Sequence, residues 1–444
     1  MLKERKFSIG LYTAIAVVIA SQIGTGVFTS IGFQVMDITS GFSIVLLWLL
    51  GGLVAISGAF SYGELSAAMP RSGGEYHLLS EIYHPIVGFA SGWISVAVGY
   101  AAPIAAASMA MGDYASSVLV SLETISPQDK SLVSIAIAVS GVSMVTLVHF
   151  LKDTAVSAFQ IFFTALKIIL ILILIVFGLA ISDSVGISFS PNKQSFTEII
   201  SAPFAISLVF VMYSYSGWNT ASYIVGELKN PGRNLPLSLF IGTLVVVLLY
   251  ISLNAIFLYS TPINELAGQT EVGYIAAKHI FGHKGGVIMG ILISVGLISA
   301  ISSMVWAGPR VMQVMGEDTQ ILKPLAKKNK NGVPAISLVF QHIIVMIFIF
   351  SSTFENIITF IGFILTLSSL LTVVGVFIMR LRKPDMKRPY KTWGYPISPA
   401  FFIIVMVWML FYVIKERPEQ AFWGIITILA GLIVYFINKK VVSN

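Results

Sequence analysis

Apolar residues run along this chain in long blocks separated by short polar segments. Twelve blocks can be marked, at about 9–35, 43–68, 86–118, 131–150, 154–181, 200–228, 235–260, 285–315, 335–351, 354–381, 397–415 and 419–438. Most reach the roughly 20 residues that a helix needs to cross hydrocarbon, and 335–351 sits at the lower limit. None alternates apolar and polar residues over a barrel strand's length. The pattern predicts an all-α membrane protein with twelve transmembrane helices.

Two blocks are interrupted in matching places. The first runs from Ala14 to Ile23, meets Gly24-Thr25-Gly26, and resumes at Val27. The sixth runs from Phe204 to Met212, meets Tyr213-Ser214-Tyr215-Ser216-Gly217, and resumes at Trp218. Backbone groups freed by such breaks find no partner in lipid, so the breaks must face protein or a watery cavity. Small residues also serve plain helix contacts. Breaks at corresponding places in two halves point instead to an alternating-access carrier with its substrate site near the midplane.

Composition agrees with the pattern. Of 444 residues, 56% are hydrophobic and 11% charged, with mean hydropathy +0.89. Soluble domains carry roughly a quarter charged residues. Lys3, Arg5 and Lys6 precede an apolar run too long for a signal peptide and without a cleavage site, so this run reads as the first span. The net charge of +7 lies mostly in alternate loops, with Lys323, Lys327, Lys328, Lys330, Arg380, Arg382, Lys383, Lys387 and Arg388 among them. That is the positive-inside bias, with both termini cytoplasmic, and it argues against a nucleic-acid partner. Cysteine is absent, which excludes thiol chemistry and any disulfide-linked subunit.

The blocks group as 1–182 and 183–382, each with five spans, followed by 383–444, a basic linker and two further spans. Five spans per half force the halves into opposite orientation, an inverted repeat. The loop 261–284 is long enough for a short helix.

At the first break, the amides of Gly24, Thr25 and Gly26 suit a carboxylate, because a half-helix N-terminus favours an anion. At the second, carbonyls near Tyr213, Ser214 and Ser216 suit an ammonium. Together they read as an α-amino acid site, with Tyr213 placed to gate it. Lys167 sits in the middle of the fifth span, where a charge costs at least a few kcal/mol. A fixed ammonium there makes sodium unnecessary, and its reversible protonation would couple transport to H+. Glu64 and Glu227 lie near the cytoplasmic ends of their spans, placed for inner-gate contacts with basic loops. Asp113 falls near the outer end of the third span. Ser299, Ser302 and Ser303 can face Lys167. His149 and His342 stand alone, without metal-ligand spacing. No HExxH, P-loop or GxSxG occurs, so neither an enzyme nor a metal or cofactor site is expected.

Several motifs resemble the amino acid–polyamine–organocation superfamily over essentially the whole chain. They are Gly24-Thr25-Gly26-Val27-Phe28, Ser61-Tyr62-Gly63-Glu64-Leu65, Pro70-Arg71-Ser72-Gly73-Gly74-Glu75-Tyr76, Gly217-Trp218-Asn219, Glu227-Leu228-Lys229-Asn230-Pro231, Gly308-Pro309-Arg310 and Arg388-Pro389-Tyr390. Bacterial relatives of the L-type amino acid transporters are the most similar branch. The resemblance implies a leucine-transporter fold, a 5+5 inverted repeat with broken helices 1 and 6. It implies substrate carboxylate at Thr25 and Gly26, ammonium at carbonyls of Gln22 or Ile23, Tyr213, Ser214 and Ser216, and Lys167 in place of sodium. Ser216 and Tyr213 replace the Gly and Phe common in that superfamily, which makes the pocket smaller or more polar.

The expectation is a sodium-independent carrier of amino acids, neutral ones favoured, working in the cell membrane by exchange or proton symport. Two alternatives stay open: a carrier of cationic amino acids or polyamines, and a receptor that binds an amino acid without moving it.

Overall fold

The computed structural model describes residues 9–71, 73–150 and 156–443; Lys3, Arg5, Lys6 and Ser72 lie outside the described residues. The first block forms α1 (Leu11–Gln22) and α2 (Gly26–Gln34), the second α3 (Gly41–Ala68). A connecting helix α4 (Gly74–Ile82) leads to the third block, α5 (Pro85–Ile94) and α6 (Ala101–Ser121), then α7 (Lys130–Val148) and α8 (Val156–Ile181). The sixth block is in pieces: α10 (Ala202–Ser214) and α11 (Thr220–Tyr223), preceded by α9 (Lys193–Ile199). There follow α12 (Pro231–Ser260), α13 (Ile263–Leu266), α14 (Val272–Asp318, broken at Gly282), α15 (Ala335–Ser351), α16 (Phe354–Arg382), α17 (Ile397–Glu416) and α18 (Pro418–Ser443). The loop 261–284 does contain a short helix, α13, and the first turns of α14.

Ten spans among the described residues are long and apolar enough to cross a membrane, or eleven if α9 and α10, bent by 67°, form one. The two blocks outside the ten are the sixth, cut by its break, and α15, 17 residues long. Local chemistry sets several starts. Ser40, Ser201 and Thr353 cap α3, α10 and α16 by accepting from the amides of Ser43, Phe204 and Asn356. Arg380 and Arg382 sit in the last turn of α16, where the helix dipole favours cations.

The helices pack in two groups. In one, α12 lies along α3 and α1, and α10 packs on α2 and α3. In the other, α14 lies along α6, and α7 and α15 complete the set. Between the groups, α2 and α12 meet α14 and the Tyr114 hydroxyl on α6 bonds the Phe28 carbonyl on α2, whereas α8 and α16 touch members of both. Burial follows this order. About two-thirds (67%) of the apolar window in Pro85–Ser121 is buried, against 22% in Pro127–Val148 and Pro418–Val441. The last two therefore offer their apolar sides to lipid, and the first is central.

Glu64 ties the 383–396 linker to the helices. Its carboxylate accepts from Arg380 Nε at 3.0 Å and Nη2 at 2.7 Å, and from the Thr392 amide at 2.7 Å; Arg388 Nε lies 3.2 Å away. Arg388 also donates to carbonyls of Met379, Lys383, Pro384 and Met386, folding the linker around itself. Glu64→Ala strands partly buried guanidinium charge and is expected to cost about 2 kcal/mol, read as a lower melting temperature in detergent. Glu416→Ala, which removes an exposed pair with Lys415, should change stability by less than about 0.5 kcal/mol.

Candidate functional site

The two breaks meet. α1 ends at Gln22, and Ile23 leaves the helix at φ −75°, ψ 87°. α2 restarts at Gly26, packed so closely on Ser214 that a Cβ would lie 2.6 Å from Ser214 Cα. Only glycine permits that approach. On the other side, Gly217 has φ +97°, and a Cβ there would meet the Ser21 carbonyl at 2.7 Å. The Tyr213 hydroxyl and Thr25 Oγ1 bridge the breaks at 2.7 Å.

Gln22, Ile23, Gly24, Thr25, Gly26, Tyr213, Ser214, Ser216 and Lys167 all line one cavity of about 80 Å³ between the two helix groups. The second group contributes Pro103, Ala300, Ser303 and Met304. Pro103 has no amide to donate and crowds the carbonyl four residues earlier, at Gly99. Gly99 ends a widened π turn, Ser95–Gly99, a feature frequent at functional sites.

Polar groups divide sharply between those already paired and those left open. The Gly24 amide closes onto the Gln22 carbonyl at 2.8 Å, so it does not point freely into the cavity as the sequence suggests. The amides of Thr25 and Gly26, at the start of α2, have no hydrogen-bond partner among the described residues. The Gln22 carbonyl also accepts from the Tyr250 hydroxyl at 2.6 Å, and the Ile23 carbonyl from Lys167 Nζ at 2.5 Å. The Tyr213 carbonyl accepts from the Ser216 amide at 3.0 Å. The carbonyls of Ser214 and Ser216 accept from no described group, and buried Gln22 Oε1 has no partner. The open set therefore pairs two amides with several acceptors across one small space.

Lys167 is 4% exposed. Gly296 on α14 faces its stem: a Cβ there would lie 3.5 Å from Lys167 Cγ. Ser303 shares the cavity, while Ser302 bonds His149 at 2.9 Å and Ser299 is buried. His342 bonds Thr146 at 3.2 Å. Among the described residues no group of three or more His, Cys, Asp or Glu is placed to hold a metal.

Glu64 and Glu227 are not in the cavity. Glu64 contacts the basic linker as described above. Glu227 is exposed and its side chain makes no ion pair among the described residues; its carbonyl instead accepts from the Ile9 amide at 3.2 Å. Asp113 accepts from Ser134 Oγ at 2.6 Å and lines a separate cavity of about 600 Å³. Phe33, stacked between Phe210 at 5.4 Å and Phe354 at 5.5 Å, lines that cavity as well.

Sequence reasoning missed Tyr250. Its ring packs with Trp48 and Tyr215 in a buried aromatic cluster, centroids 5.7 and 5.2 Å away, while its hydroxyl caps α1. A tyrosine in an apolar block carries no local mark of that role.

A profile of the amino acid permease family matches residues 9–435. The b(0,+)-type amino acid transporter 1 of Mus musculus is 28% identical over 97% of this chain and 87% of its own length. The large neutral amino acids transporter small subunit 2 of Homo sapiens is 25% identical over 98% and 80%. The serine/threonine exchanger SteT of Bacillus subtilis is 28% identical over 98% and 97%. With a family profile covering nearly the whole chain, and relatives aligned over 97–98% of it, this protein belongs to the amino acid permease family and is a multi-pass amino acid transporter.

Proposed function

We propose that the chain is a sodium-independent transporter of neutral L-amino acids, working by exchange or proton symport through alternating access. The observation that carries this reading is the open set of polar groups. The unpaired amides of Thr25 and Gly26 take the carboxylate, and the acceptors Ser214 O, Ser216 O and Gln22 Oε1 take the ammonium. No aspartate or glutamate lines the cavity, and Lys167 does, so a second positive charge on the substrate meets no partner. A cavity well below the roughly 300–1,000 Å³ of common ligand pockets supports a small side chain. The relatives' printed substrates, large neutral amino acids in one and serine or threonine in another, agree in neutral charge, and the small cavity favours the size of the second.

In this proposal the sixth block and α15 complete twelve spans, residues 1–182 and 183–382 are inverted repeats, and 383–444 is an addition. Both termini face the cytoplasm of a cell-membrane carrier. The helix group holding both breaks rocks against the group of α6, α7, α14 and α15, with α8 and α16 bridging them. Tyr213 and Thr25 close over the ligand, Lys167 holds the first break in place of a metal ion, and Glu64 steadies the inner side.

Uptake of a labelled amino-acid panel into proteoliposomes tests this. Saturable uptake competed by alanine, serine or leucine is expected; competition by arginine or putrescine alone would replace it with the cationic reading, and binding without flux with a receptor. Gly26→Leu should abolish uptake, since even a Cβ collides with Ser214; full activity in this variant sinks the site. Tyr213→Phe removes one neutral hydrogen bond and should weaken apparent affinity roughly two- to tenfold, read from the half-saturating concentration. Wild-type uptake should be unchanged when choline replaces sodium. Lys167→Ala leaves the Ile23 carbonyl without its buried donor and should lower uptake at least about tenfold.

A further inference from the structure

Glu75 is a buried carboxyl that no part of the transport reading uses. It begins α4, between the second and third spans, and is 6% exposed. One oxygen, Oε1, accepts from three sides: the Tyr62 hydroxyl on α3, Ser369 Oγ on α16 at 3.1 Å, and Asn219 Nδ2 at 3.4 Å. Oε2 has no hydrogen bond among the described residues. The titratable groups facing it are Tyr62 from α3, Tyr100 from the start of α6, and Tyr223 from α11. No described Lys, Arg or His bonds to it.

The contrast with Glu64 decides the chemistry. Glu64 has two arginines beside it, so it is held as an anion by charge. Glu75 has only neutral hydroxyl and amide donors. An isolated buried carboxylate is costly to keep ionised, and burial pushes the Glu75 carboxyl above its ordinary range. Three donors on Oε1 leave the other oxygen to carry a proton.

On the transport reading, the surroundings belong to the helix group that moves. Asn219 follows the sixth-span break by two residues after Gly217, and Ser216 lines the substrate cavity. Trp218 packs edge-on against Tyr62 at 4.8 Å. Gly74 lies so close to Tyr223 that a Cβ would penetrate its ring. Any displacement of residues 218–223 therefore opens the Glu75 shell.

We propose that Glu75 is a proton-binding carboxyl of the transport cycle, protonated while Tyr62, Asn219 and Ser369 close on it and deprotonated when residues 218–223 withdraw. The proposal rests on the transport reading above. On opening, the carboxyl O–H bond breaks, the oxygen keeps the electron pair, and water on the cytoplasmic side takes the proton. Lys167 keeps its charge throughout.

Two measurements test this. Exchange uptake is followed between about pH 5.5 and 8.5 in wild type and Glu75→Gln, whose amide keeps the shape of the protonated acid. A controlling carboxyl changes its ionised-to-protonated ratio tenfold per pH unit, so wild-type uptake should vary several-fold and Glu75→Gln less than about twofold. Glu75→Asp, which retains a carboxyl, should keep a pH profile. Saturable wild-type uptake that is flat with pH, or a Glu75→Gln profile matching wild type, overturns the proposal and leaves the transport reading intact. Infrared titration of the reconstituted protein reads protonation without flux. A protonated-carboxyl band present in wild type and absent in Glu75→Gln supports the proton site even if no amino acid is carried, an outcome that would sink only the transport reading. No band difference overturns the proton site.

Discussion

The site in this fold answers to one constraint: two apolar helices give up helical hydrogen bonds inside the bundle, where neither water nor lipid supplies ready substitutes. The released groups have to be met inside the protein. Tyr250 and Lys167 take the carbonyls at the end of α1, Ser216 takes the Tyr213 carbonyl, and Gly24 turns back on Gln22. What remains open after that settlement is small, polar and confined to one cavity. The glycines at 26 and 217 let the two broken segments come close enough to share it.

Much of this was legible in the sequence because it depends on residue types that alter the backbone. Gly24-Thr25-Gly26 and Gly217 mark the breaks wherever the chain goes, and a lysine amid isoleucines and leucines marks itself. The charged ends were legible in part: Glu64 met its basic loop, whereas among the described residues Glu227 makes its contact through its backbone carbonyl. Tyr250, Gly296 and the Glu75 shell were not legible, because each acquires its meaning from residues at least one helix away. The division of the open and closed carbonyls was hidden for the same reason. Sequence spacing names which groups are released from a helix, and tertiary neighbours decide which are claimed again.

The packing also explains how motion and rigidity are shared. The two helix groups touch directly mainly where α2 and α12 meet α14 and where Tyr114 on α6 bonds the Phe28 carbonyl on α2, with α8 and α16 leaning on both. In the proposed cycle the contacts remade as one group turns against the other are those of this seam, while each group keeps its own interior. The cavity sits on that seam, lined by Gly24–Gly26 from one side and Pro103, Ala300 and Ser303 from the other, so the proposed ligand would touch both at once. The Phe33 stack binds the first, sixth and tenth blocks at one end of the seam, and the Glu64 network fastens the linker at the other.

The Lys167 ammonium has a further consequence for the carrier when it is empty. A diffusible cation holding the end of α1 would come and go with its concentration in the medium, and the helix end would loosen whenever it left. A cation attached through its own side chain is always at hand, its local concentration fixed by the length of the stem rather than by the surroundings. In the proposed cycle the unloaded protein is thus held together by the same contact as the loaded one. On that reading the end of α1 is held by Lys167 Nζ on the Ile23 carbonyl and asks for no ion from the medium.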